Sequence, residues 1–203
     1  MRNSFFYIIT VLIISCSTGT STKNKDEEKQ DRLTAATNEA IKSDELIKKV
    51  FLDIEFGMTE NEVNKHLRNL VKDKKLYISS NNLYTYDFNT SLGVIKSTLG
   101  ADYYNGKLFR FTLKFNPIGV IDNPIALMGE AKKVFEQKAT TEGYQVYFSK
   151  DPLDKHQITY IKDNMIVEFS CTIDARMTYT NAPIIKLLEL EENQKIESTA
   201  SDL

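Results

Sequence analysis

The sequence predicts an α+β fold: helices packed on one face of antiparallel sheet, in two helix-then-strands halves, plus a short C-terminal helix. Three observations carry this expectation. Period-2 alternation recurs in adjacent runs separated by turn residues, which marks hairpins rather than strict strand–helix alternation. Two segments with apolar residues at helical spacing each precede a set of such runs. The 203 residues are 41% hydrophobic and 27% charged, enough apolar material for one core and too much for wholesale disorder.

The chain opens with a single charge, Arg2, then the apolar run Phe5–Ile14, then the small Ser15 before Cys16. A bilayer-spanning helix needs ~20 apolar residues, so this run suits the core of a secretory signal peptide over 1–15 instead. Ser15-Cys16 after branched aliphatics resembles the lipobox of bacterial lipoproteins. That resemblance implies that Cys16 is acylated, palmitate being a typical chain, and becomes the first mature residue and the anchor to the membrane. Several acyl chains hold where one alone is marginal. Ser17 in place of Asp is similar to lipoproteins sorted to the outer membrane, the expected location, with the periplasmic and the surface-exposed face both open. Residues 16–32 are almost wholly polar and read as a flexible linker. Leu33, Ile41, Leu46, Ile47, Val50 and Phe51 give a sparse helical pattern over 33–51.

A single α+β domain is expected over 52–192. Thr59 and Glu62 have capping-box spacing, with Met58 and Val63 placed for a hydrophobic staple. Val63, Leu67, Leu70 and Val71 form the helix stripe, and His66 borders it as a packed or surface residue. Tyr84, Tyr86 and Phe88 alternate as a strand. For the hairpin around Asn105-Gly106, a two-residue loop would set Asp102 and Gly100 opposite Phe109 and Phe111. A three-residue loop, Tyr104-Asn105-Gly106, places Ala101 and Leu99 there, so a type I turn with a G1 bulge is predicted. A second helix follows over 125–141, stopped by Gly143. Strands are expected at 144–149, 157–162 and 165–173. The two-residue loop Asp163-Asn164 sets Tyr160 and Ile158 opposite Val167 and Phe169. Cys171 falls on the apolar side of its strand, where a thiol is inert. Arg176–Tyr179 looks like strand, Pro183 opens a short helix over 183–192, and 193–203 reads as a disordered acidic tail.

Phe56-Gly57-Met58-Thr59-Glu60-Asn61-Glu62-Val63, the hairpin Tyr103-Tyr104-Asn105-Gly106-Lys107-Leu108 and the cysteine followed by a polar spacer resemble the SmpA/OmlA (BamE-like) family. These are small outer-membrane lipoproteins, one of them an accessory subunit of the β-barrel assembly machinery. The resemblance implies a helix-pair-on-antiparallel-sheet shape, shared with the β-lactamase inhibitor proteins. A helix cap marks an architecture, not an activity.

Several functions are disfavoured by composition. A formal net charge of −2 lacks the basic footprint of a nucleic-acid binder. With Cys16 expected to carry lipid, one cysteine and two histidines remain, too few for a four-coordinate zinc site of Cys and His, and eight scattered glycines form no phosphate-cradling loop. No metal, cofactor or catalytic residue is therefore expected. Asp151, Asp154 and His156 are where a hydrolase site would lie, although a solvated turn is the simpler reading. Tyr104 and Asn105 at the hairpin tip, with Tyr77 and Tyr147, are the candidate contacts for a partner. The expected role is a non-enzymatic, lipid-anchored protein-binding, accessory or scaffold module whose sheet or hairpin tip binds another envelope protein. The alternative is a surface-exposed binder of a glycan or host molecule, or an inhibitor of an extracellular enzyme.

Overall fold

The structure, a computed structural model, describes residues 25–116, 123–150, 156–171 and 174–201. Cys16 and the signal segment lie outside these residues, as do Asp151 and Asp154. Four helices and eight strands follow in the order α1 (Lys25–Ile41), α2 (Glu60–Lys72), β1 (Tyr77–Ile78), β2 (Tyr84–Thr90), β3 (Gly93–Tyr104), β4 (Lys107–Asn116), α3 (Pro124–Glu142), β5 (Gln145–Lys150), β6 (His156–Lys162), β7 (Met165–Cys171), β8 (Ala175–Asn181) and α4 (Ala182–Ser201). All strands join one antiparallel sheet, ordered β1-β2-β3-β4-β8-β7-β6-β5. The meanders β1–β4 and β5–β8 meet where β4 pairs with β8.

One sheet face carries the main core. Ile95, Phe111, Leu113, Phe115, Val167, Phe169, Met177 and Tyr179 pack there against Val63, Leu67 and Leu70 of α2 and Leu127, Ala131 and Phe135 of α3. Fully burying a side chain of this size contributes ~1.5–3 kcal/mol, so this cluster is the main source of stability. Helix α2 starts at the anticipated capping box: Thr59 accepts from the Glu62 amide, and the Glu62 carboxylate accepts from the Thr59 amide. Asn123 caps α3 at its start, and Gly143, left-handed at φ 81°, ends it.

The expectation of helices on one face is overturned, because helices cover both. Leu33, Ala36 and Ala40 of α1 form a second cluster with Ile161, Ile166 and Ala182. Ile161 and Ile166 are cross-strand partners, and their neighbours Tyr160 and Val167 point into the main core, so this cluster lies on the opposite face. Nor is the C-terminal helix short: α4 runs for 20 residues through the stretch anticipated as tail. Its Leu, Glu, Gln and Lys content is that of good helix formers, which acidity alone does not reveal. The segment expected as linker to residue 32 is helical from Lys25, while the helix expected to reach residue 51 stops at Ile41. Burial of the small-residue stripe Leu33-Ala36-Ala40 supports this helix, and alanines barely register as hydrophobic periodicity.

The hairpin at Asn105-Gly106 also differs from expectation. Tyr104 pairs with Lys107, leaving a two-residue loop with φ 49° and 72°, the type I′ signature. The parity conflict is solved inside the strand. Tyr103 pairs with Leu108 but Asp102 with Arg110, so Phe109 is an extra bulge residue and Phe111 comes opposite Ala101. Beyond the bulge, the free edge of Leu108 bonds Gly57 and Met58 at 2.9 and 2.8 Å, tying the entry to α2 onto the sheet. The β6–β7 hairpin matches expectation, with Tyr160 opposite Val167 and Ile158 opposite Phe169.

Candidate functional site

Between α1 and α2 the chain makes a tight reverse turn. The Val50 amide donates to the Ile54 carbonyl at 2.8 Å and the Ile54 amide to the Phe51 carbonyl at 3.0 Å. The central residues are Leu52 and Asp53, with φ of 50° and 60°, a geometry usually given to Asn-Gly. Each side chain held left-handed costs about 1–2 kcal/mol. His66 on α2 offsets part of that by donating from Nε2 to the Leu52 carbonyl at 2.7 Å. The turn sets Phe51 edge-on to Tyr86, ring centres 5.1 Å apart, and stacks it on Phe111 at 6.3 Å.

This turn faces α3 across a cleft of about 400 Å³. Tyr86, Phe88, Met177 and Tyr179 supply the sheet side, Phe51 and Leu52 one wall, and Val134 and Phe135 the other. Lys49, Asp53 and Lys138 stand at the rim; Lys49 and Asp53 form an exposed ion pair at 3.0 Å. Burial pushes the Tyr179 phenol far above its ordinary range, so it stays neutral and serves as apolar surface. An apolar hollow with a few charged rim groups suits an apolar or aromatic group.

The opposite face, beyond the area covered by α1, is polar. Lys96, Thr98, Arg110, Thr112, Lys114, Arg176 and Thr178 point outward there, by strand alternation. Glu168 sits among them opposite Thr159 and Thr178, accepting from the Gln157 amide. Burial raises its carboxyl above the ordinary value, while Gln157 and the Arg110 charge lower it. A raised folded-state value means that Glu168 favours the fold at low pH. That contribution is lost as pH rises from the unfolded carboxylate range through the folded value. Glu168→Gln is therefore expected to melt about 2–4 °C higher than the parent at neutral pH and to lose this advantage in acid. Thermal melts across pH check this; an equal difference at every pH would show that the charge is not the cause.

The sequence-selected contact residues do not converge. Tyr77 and Tyr147 lie on β1 and β5, the two edge strands of the sheet. The Tyr147 hydroxyl donates to Gln145 at 2.7 Å, and its ring packs against the α1 cluster. Tyr104 donates to Glu191 of α4 at 2.6 Å, so the hairpin tip is tied to a helix, and Asn105 shapes the turn. His156 opens β6, opposite Lys150. Cys171 is partly buried against the main core, and burial raises its thiol. Among the described residues, no three His, Cys, Asp or Glu side chains gather where a metal could sit. Phe51 and Val134 were missed because apolar side chains in a helical pattern read as core, and Leu52 because nothing in its spacing marks a turn.

No protein-family model matches this chain, and no curated protein and no solved structure is similar to it. The likeness to the SmpA/OmlA family thus rests on the quoted motifs alone.

Proposed function

We propose that this chain is a lipid-anchored outer-membrane protein that works without catalysis, docking another envelope protein through the apolar cleft beside the Phe51–Ile54 turn. The cleft carries the reading. Binding hot spots are central pockets that take one aromatic or aliphatic anchor, ringed by groups that contribute little themselves. Here Val50, Phe88, Phe135, Met177 and Tyr179 are buried, whereas Val134 on the α3 wall is 37% exposed. The strained Leu52-Asp53 turn supports it too, since such backbone persists chiefly where surroundings over-determine it, often at ligand clamps. The anchor would be Cys16, as the lipobox resemblance implies. No helix among the described residues is long and apolar enough to cross a membrane.

The test places a photo-activatable phenylalanine at Val134, and separately at Arg176 on the polar face, in cells of the native host. A discrete protein adduct from position 134 and none from 176 is the expected result. An adduct from 176 alone would move docking to the polar face. The same chain with Cys16→Ser is expected to leave the membrane fraction and lose the adduct; retention in that fraction would remove lipidation from the account.

A further inference from the structure

A second hollow, distinct from the apolar cleft, lies at the β1 edge of the polar face. It measures about 450 Å³ and is bounded by the loop after β1 and by β3 and β4. The loop is well built: the Ser79 amide donates to the Leu83 carbonyl at 2.9 Å, and the Ser79 hydroxyl accepts from the Leu83 amide at 3.2 Å. The lining hydroxyls of Thr85 and Thr98 are spent on the carbonyls of Leu83 and Lys114, at 3.2 and 3.5 Å. Tyr77 differs. Its hydroxyl is buried without any hydrogen-bond partner, and the Lys96 ammonium sits 5.3 Å from the centre of its ring. A buried donor left unpaired is costly, and native structures keep few of them without a reason.

Charge points the same way. The lining residues include two lysines, Lys96 and Lys114, and no acid. Lys114 is engaged at 2.9 Å by Asp174, which Arg176 also holds at 3.1 Å, so two cations share that carboxylate. Asp87 is the cross-strand partner of Lys96, yet no ion pair joins them. Asn116, across from Lys96 on β4, adds an amide.

We infer that this hollow binds an oxyanion, a carboxylate or phosphate group on a small polar molecule, with Lys96 as its counter-charge and the Tyr77 hydroxyl as a donor. Ligand oxygens accept from both, and Asn116 offers a third donor. The inference stands apart from docking at the cleft and survives its failure.

Inorganic phosphate and acetate are titrated separately into the full chain at constant ionic strength, with amide NMR shifts as readout. Saturable shifts confined to residues 77–85, 96–98 and 114–116 are expected with at least one of the two, and which saturates names the chemistry. Lys96→Gln is expected to weaken that binding at least about five-fold. Tyr77→Phe gives the decisive signature. It removes only the orphan hydroxyl, so the free protein should melt at or above the parent temperature while binding weakens about three-fold or more. Absence of saturation with both anions, or parental affinity in Lys96→Gln, overturns the proposal. A lowered melting temperature for Tyr77→Phe with unchanged affinity would show a structural hydroxyl and overturn the role given to Tyr77.

Discussion

Phe135→Ala is expected to cost about 3–5 kcal/mol of stability, the range for removing a large aromatic from a packed core. Phe135, on the buried side of α3, meets four rings: Tyr160 at 5.1 Å, Tyr144 and Phe169 at 5.6 Å and Tyr179 at 6.2 Å. Most of these contacts are edge-on, where positive ring edges meet negative faces and each pair adds about 0.5–1.5 kcal/mol beyond burial. Three of the rings come from β6, β7 and β8 and the fourth, Tyr144, directly precedes β5, so this one side chain clamps α3 to the second meander. It also walls the cleft, and truncation would deepen the hollow as it weakens the fold. Urea denaturation measures the cost. A loss below about 1 kcal/mol would show that the surroundings collapse into the space. Phe135→Leu, keeping most of the volume, is expected to lose about a third as much.

Asn164→Ala is the second large loss expected, about 2–4 kcal/mol. Asn164 sits in the β6–β7 turn, only 1% exposed. Its Oδ1 accepts from the Ile47 amide at 2.6 Å, and its Nδ2 donates to Asn181 Oδ1 at 2.8 Å and to the Ile47 carbonyl at 3.4 Å. One buried amide thus joins the segment leading to the strained turn, the β6–β7 hairpin and the end of β8. Alanine would strand the Ile47 amide and the Asn181 oxygen together. Asn164→Asp separates the two roles, because a carboxylate still accepts from Ile47 but cannot donate to Asn181. A carboxylate buried there is penalised when charged, so Asn164→Asp is expected to be less stable than the parent at neutral pH and to recover part of that loss in acid, where the neutral acid can donate again. Equal stability of Asn164→Ala and the parent by denaturant titration would dismiss the network.

Local rules carried the sequence reading where they were complete. Thr59-x-x-Glu62 specified a helix start because both halves of the reciprocal hydrogen bond lie within four residues. Gly143 stopped α3 for a similarly local reason, since a left-handed residue ends a helix, whereas the Asn123 cap at its start came only with the structure. The hairpin at Asn105-Gly106 shows where local rules ran out. Parity correctly revealed that a plain two-residue loop would put polar groups among phenylalanines. It could not tell an extra loop residue from an extra strand residue, since both shift the register by one. The turn kept its favoured Asn-Gly geometry, and Phe109 took up the shift.

The candidate cleft was still less legible. Phe51 and Val134 occupy apolar positions like any others in their patterns, and only the approach of the 51–54 turn to α3 makes a hollow of them. Neither the Tyr77 orphan hydroxyl nor the meeting of Lys96 and Lys114 is written in residue spacing, because β1, β3 and β4 bring them together.

By itself the sequence determined the elements whose causes are local: capped helices, alternating strands, turns with residues suited to positive φ, and the lipobox-like start that frames the expected location. Tertiary structure alone decided that the two meanders join into one sheet through β4 and β8, and that α1 covers the face opposite α2 and α3. The reason is burial across distance. Ile161 and Ile166 look like lapses in alternation until Leu33, Ala36 and Ala40 close over them, and no period within either segment encodes that meeting.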